Sequence, residues 1–103
     1  MHMKIIAIST LKTFLDGHPD ARQPLLAWID EARQATWTSP TDIKASYRSA
    51  SILKSRRVVF NIKGNDYRLI VAVAYRYGGG YIKFIGTHAQ YDTVDADSVE
   101  AAT

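Results

Sequence analysis

Residues 57–85 alternate in polarity with a period of two, and two turn signals cut this stretch into three pieces. Gly64-Asn65-Asp66 marks the first turn and Gly78-Gly79-Gly80 the second. Turns this short join antiparallel neighbours, because a parallel pair needs a long crossover. In the first strand, Val58, Phe60 and Ile62 face one way, and Arg57, Val59, Asn61 and Lys63 the other. The second strand shows Tyr67, Leu69, Val71, Val73 and Tyr75 on its apolar face. Arg68 and Arg76 stand at the ends of its other face, with Ile70, Ala72 and Ala74 between them. In the third strand, Ile82 and Phe84 fall on one side and Tyr81, Lys83 and Ile85 on the other. The pattern predicts an antiparallel meander of three strands.

The first half has a different period. Residues 4–8 are short, apolar and β-branched, which suits a strand or the start of a helix. Pro19 and Asp20 suit a first helical turn. In residues 21–35, Leu25, Trp28, Ile29 and Ala32 form a helical stripe. Ser39-Pro40-Thr41-Asp42 reads as the entry to a short helix, with Ser39 as cap and Pro40 at the first position. Residues 45–51 read as loop. Helices followed by an antiparallel sheet predict an α+β fold, with the helices packed on one face of the sheet and the other face open. A chain of 103 residues suits one domain. We expect that domain to span residues 1–92. Residues 93–103, acidic and without a base, are expected to form a poorly ordered tail.

Charge is unevenly spread. Residues 44–83 hold nine Lys or Arg and a single acid, Asp66. A block of this kind is the footprint of a polyanion partner, although a solvated basic face has the same composition. Cysteine is absent, which excludes disulfides, thiolate metal sites and a cysteine nucleophile. It also fits a reducing compartment, and a cytoplasmic location is expected. No apolar run approaches the ~20 residues of a membrane span.

Several side chains could carry chemistry. His88 follows the third strand, and histidine is suited to moving protons near neutral pH. Tyr91 lies three residues on, within one helical turn. It can stack on a base or assist proton transfer. Arg68 and Lys83, with Asn61 and Lys63, fall on strands that could share one basic face, and the Lys54, Arg56 and Arg57 cluster lies beside it. Cations so placed suit a phosphate backbone. Each residue also has a plainer role: Tyr91 as cover for the sheet edge, Arg68 as an ion pair with Asp66 or Asp92. His2 and His18 have no partner nearby in sequence. No pair of histidines has metal-ligand spacing, and no metal or cofactor is expected.

The segment Val58-Val59-Phe60-Asn61-Ile62-Lys63-Gly64-Asn65-Asp66-Tyr67-Arg68-Leu69-Ile70 has a companion in Tyr81-Ile82-Lys83-Phe84-Ile85-Gly86-Thr87-His88-Ala89-Gln90-Tyr91-Asp92. Together they resemble the HigB-type toxins of bacterial type II toxin–antitoxin systems. The resemblance implies a RelE-like fold and an endoribonuclease that cuts mRNA on the translating ribosome. It implies Arg68, His88 and Tyr91 as catalytic residues. Lys54, Arg56, Arg57, Asn61, Lys63 and Lys83 would hold RNA, although Lys63 occupies a slot that often holds a small residue. It also implies a HigA-type helix-turn-helix antitoxin, and operator DNA bound only through the toxin–antitoxin complex. The residues themselves leave open a non-catalytic module that binds RNA or an antitoxin.

Overall fold

The three meander strands pair as expected, although the second turn closes at residues 75–78 and Gly79 and Gly80 already open the next strand. One further strand is added at each side, one by long-range pairing and the other by a local hairpin. The computed structural model describes residues 3–101, so His2 and the end of the acidic tail lie outside the described residues. The elements are β1 (Lys4–Ile6), α1 (Ile8–Gly17), α2 (Arg22–Gln34), α3 (Pro40–Ser46), β2 (Ser51–Ile52), β3 (Arg57–Ile62), β4 (Tyr67–Ala74), β5 (Gly79–Thr87) and α4 (His88–Tyr91). Short 3-10 turns at Pro19–Ala21 and Tyr75–Tyr77 join some of them. Among the described residues the sheet has the order β1-β5-β4-β3-β2. It is mixed rather than wholly antiparallel, because β1 pairs in parallel with β5.

The helices cover one face of this α+β fold. Leu11 of α1, the stripe Leu25, Trp28, Ile29 and Ala32 of α2, and Ile43 of α3 share one buried cluster with the sheet. Val58, Phe60 and Ile62 of β3 and Leu69, Val71 and Val73 of β4 supply the sheet's half, as their alternation required. Phe60 is the hub: its ring meets Trp28 at 5.2 Å, Tyr47 at 5.0 Å and Trp37 at 5.9 Å. The entry to α3 differs in detail from its expected form. Ser39 is the cap position but makes no side-chain cap bond. Asp42 instead accepts from the Thr38 backbone N–H and hydroxyl, both at 2.9 Å.

The expected alternation fails in β5. The β4–β5 register shifts between Ile70 and Val71, so that Ile70 pairs with Phe84 but Val71 with Ile82. Lys83 is the extra residue of a bulge, and a bulge reverses the facing of the residues after it. Ile82 therefore stays in the core, whereas Phe84 joins the face opposite the helices and Ile85 packs against the core.

Lys63 also departs from its expected place. It leaves the strand in a left-handed conformation, φ 53°, beside Gly64 at φ 64°. Its ammonium turns away from the row of Asn61 and bonds Asp20 at 2.8 Å, which also accepts from the Tyr67 hydroxyl at 2.6 Å. The Lys63 bond, and next the Tyr67 bond, hold the Asp20 carboxyl below its ordinary value of 3.8. The same contact with Asp20 raises Lys63. A depressed carboxyl stabilises the fold above its unfolded pKa and loses that contribution as pH falls through the folded value. Asp20→Asn should therefore lower Tm by a few degrees at pH 7, and thermal melts should show the gap closing as pH drops below about 4. A gap that persists in acid would mean that the clamp works by shape, not charge.

A basic and aromatic sheet face ending in a capped turn

The face opposite the helices is organised in cross-strand rows. Asn61, Arg68 and Gly86 form one, Val59, Ile70 and Phe84 the next, and Arg57, Ala72 and Tyr81 the third. Arg68 sits in the central strand of the first row and is half-exposed. Its guanidinium donates to the Asn65 carbonyl at 2.9 Å and, more weakly, to the Tyr67 carbonyl at 3.4 Å. Those bonds hold it over the Tyr91 ring, 5.9 Å from the centroid. Tyr91 in turn leans on Phe84, with ring centroids 6.5 Å apart. The bulge at Lys83 makes this contact possible, since it puts Phe84 on the same face.

The turn that carries His88 and Tyr91 is fixed by its own backbone. Thr87 caps α4: its hydroxyl accepts from the Gln90 N–H at 3.1 Å, while the Gln90 side chain accepts from the Thr87 N–H at 2.8 Å. This reciprocal pair satisfies two donors that a helix start leaves open. The His88 N–H donates to the Asp66 carbonyl at 3.2 Å, which ties the turn to the β3–β4 hairpin. Gly86 is needed just before it. A β-carbon there would meet the Phe84 ring at 2.6 Å and the Gln90 side-chain oxygen at 2.9 Å. The spacing Thr87-x-x-Gln90 announces the cap in the sequence, but Phe84 and Gly86 have no such signal.

His88 points to solvent, with 58% of its side chain exposed. Its Nε2 stands 3.8 Å from Asp92 Oδ1, too far for a hydrogen bond. Arg68, Tyr91 and His88 are thus gathered at one end of the sheet. Asn61 lies beside them, with its amide 3.5 Å from the Ser49 carbonyl. Lys54 and Arg56 are exposed in the β2–β3 connection, at the far end of β3. Arg57 is buried, 6% exposed, and Lys83 is partly covered. Both lie under the C-terminal segment, expected from its charge to be poorly ordered. Through Ala101 that segment runs back over the sheet, with Val94, Ala96 and Val99 half-buried. Among the described residues no group of three or more His, Asp or Glu side chains stands together as a metal site. None of the described helices is long and apolar enough to cross a membrane.

What the arrangement offers is a fixed guanidinium, an aromatic ring and an open imidazole within one short stretch of surface. An α+β domain of this build, helices on one face and a basic, aromatic row on the other, fits a RelE-like fold. The chain belongs to the HigB toxin family, whose model, the RelE-like toxic component of a toxin–antitoxin system, matches residues 21–94. It is similar to the mRNA interferase toxin HigB of Escherichia coli (strain K12), 27% identical over 92 residues covering 87% of this chain and 88% of that one. The mRNA interferase HigB of Escherichia coli O157:H7 and that of Shigella flexneri match to the same extent.

Proposed function

We propose that this toxin is an endoribonuclease that cuts mRNA on the translating ribosome. The supporting observation is the meeting of Arg68 and Tyr91 beside the capped His88 turn, within the stretch that matches the family. RNA supplies its own nucleophile, the 2′-OH, so the protein needs few parts. A base takes the 2′ proton, the 2′ oxygen attacks phosphorus, and an acid protonates the leaving 5′ oxygen. Charge builds on the phosphorane and calls for a fixed cation. Arg68 takes that last role. His88 acts as general acid or base, and Tyr91 stacks on a base or assists proton transfer. Asn61, Lys83, Lys54 and Arg56 hold the backbone. Lys63, paired with Asp20, is the weakest of the RNA contacts.

In this reading residues 1–92 are the toxin domain and the protein works in the cytoplasm. Its cognate antitoxin is a HigA-type helix-turn-helix protein, and operator DNA is reached only through the toxin–antitoxin complex. The test is induced expression in a bacterium lacking the antitoxin. The expected result is growth arrest with new 5′ ends inside open reading frames. Retention of RNA without new ends would instead make the sheet a binding module.

A further inference from the structure

The basic face is occupied by the chain itself. The Glu100 carboxylate bridges two cations across β4, with Oε2 2.7 Å from Arg57 and Oε1 2.7 Å from Lys83. The rest of the Arg57 guanidinium donates to the Val99 carbonyl at 2.6 Å and the Ala96 carbonyl at 3.2 Å. Small Ala72 lies between Arg57 and Tyr81 in the row beneath, which leaves room for this crossing. The segment is patterned for it: Val94, Ala96 and Val99 are half-buried, whereas Asp95 and Asp97 face solvent. Glu100 is the acid that turns onto the sheet, and its carboxyl is held below its ordinary value, first by Lys83.

Two oxygens of one anion, each on its own cation, also describe a phosphodiester between an arginine and a lysine. The carboxylate that imitates it stays open to solvent, with the Glu100 side chain 62% exposed above an Arg57 side chain that is 7% exposed. Solvent and salt reach the contact from the carboxylate side, and a polyanion that brings several phosphates competes well against one carboxylate. Glu100 also lies outside residues 21–94, the stretch that matches the family.

We propose that Arg57 and Lys83 form a phosphodiester subsite for single-stranded RNA, and that Glu100 fills it as an internal competitor until RNA displaces the tail. The inference rests on the RNA reading of the sheet and adds to it a segment that sets affinity. In the free protein the tail shields Arg57. In the complex the backbone runs from this subsite along the sheet toward Arg68, and Asn61 lies four residue steps along β3 from Arg57, about 13 Å.

The test uses the full-length protein and a fluorescent single-stranded 2′-O-methyl RNA, which lacks the nucleophile and is not cut. Glu100→Gln should tighten binding by about tenfold, the worth of one charge-assisted hydrogen bond. Asp97→Asn removes the same charge from the exposed side of the tail and should change binding less than twofold, as screened surface charges do. In a Lys83→Gln background the gain from Glu100→Gln should fall by more than half, because one of the two bonds is already gone. Equal or weaker binding by Glu100→Gln overturns the proposal. So does an Asp97→Asn gain as large, or a Glu100→Gln gain that ignores Lys83. If no form binds the oligonucleotide, the RNA reading of the face fails with it. If Glu100→Gln binds like wild type while Lys83→Gln binds more weakly, the competitor role of the tail fails and the RNA reading of the face stands.

Discussion

Arg68→Ala is expected to reduce mRNA cleavage by about two to three orders of magnitude, the usual cost of removing a preorganised group that stabilises transition-state charge. The size reflects how the side chain is held. Arg68 lies on the central strand β4, so its Cα moves little, and the Asn65 and Tyr67 carbonyls restrain its guanidinium. Ordering costs are therefore met on folding, before RNA arrives. Arg68→Lys keeps the charge but not the planar fork, and should fall between the two. The side chain is half-exposed and is not a member of the buried cluster, so both variants should melt near wild type. Cleavage of a reporter mRNA, read by primer extension alongside thermal melts, decides the matter. An alanine variant that cuts at the wild-type rate would remove Arg68 from the site.

How far the sequence alone could reach is clearest from β5. The two turn signals find β3, β4 and β5 in their order, because those signals are local, but the second turn falls earlier than its glycines suggest, at Tyr75–Tyr77, and Gly79 and Gly80 pair within β5. The bulge at Lys83 is not local: it arises where β5 must keep Ile82 in the core while Phe84 meets Tyr91, and no residue in the strand announces it. The same holds for β1, whose partner Gly79-Gly80-Tyr81 lies in the last third of the chain. Helix α1 was hidden for another reason. Ser9, Thr10, Lys12 and Thr13 interrupt its apolar residues, and among the described residues of that helix only Leu11 is fully buried.

The basic block shows what charge counts miss. Its members divide by partner. Lys44 donates to the Arg48 and Ala50 carbonyls, Lys63 to Asp20, and Arg57 and Lys83 to the tail. Arg68 is left facing the aromatic pair. Composition could not separate these, since each residue contributes the same charge. The tail was legible only in part. Its acids suggest solvent, yet Val94, Ala96 and Val99 interleave with them as a segment with one apolar side must.

His88→Ala carries the second large effect, a loss of about 10²–10⁴ in cleavage rate if the imidazole moves a proton. The backbone at His88 is fixed by the Thr87–Gln90 cap and by the bond to Asp66, whereas the ring itself touches little and is mostly exposed. Removing the ring should thus leave the fold intact and the turn in place. Loss of an acid or base also removes one limb of the pH–rate profile, which a positional defect does not. Tyr91 supplies the control. Tyr91→Phe keeps the ring beneath Arg68 and against Phe84 but deletes the hydroxyl. If stacking is its role, Tyr91→Phe should cut within a few-fold of wild type, while Tyr91→Ala loses roughly the 1–3 kcal/mol of one stacked base. Should Tyr91→Phe instead lose as much as His88→Ala, and with it the same limb of the profile, the hydroxyl and not the imidazole transfers the proton.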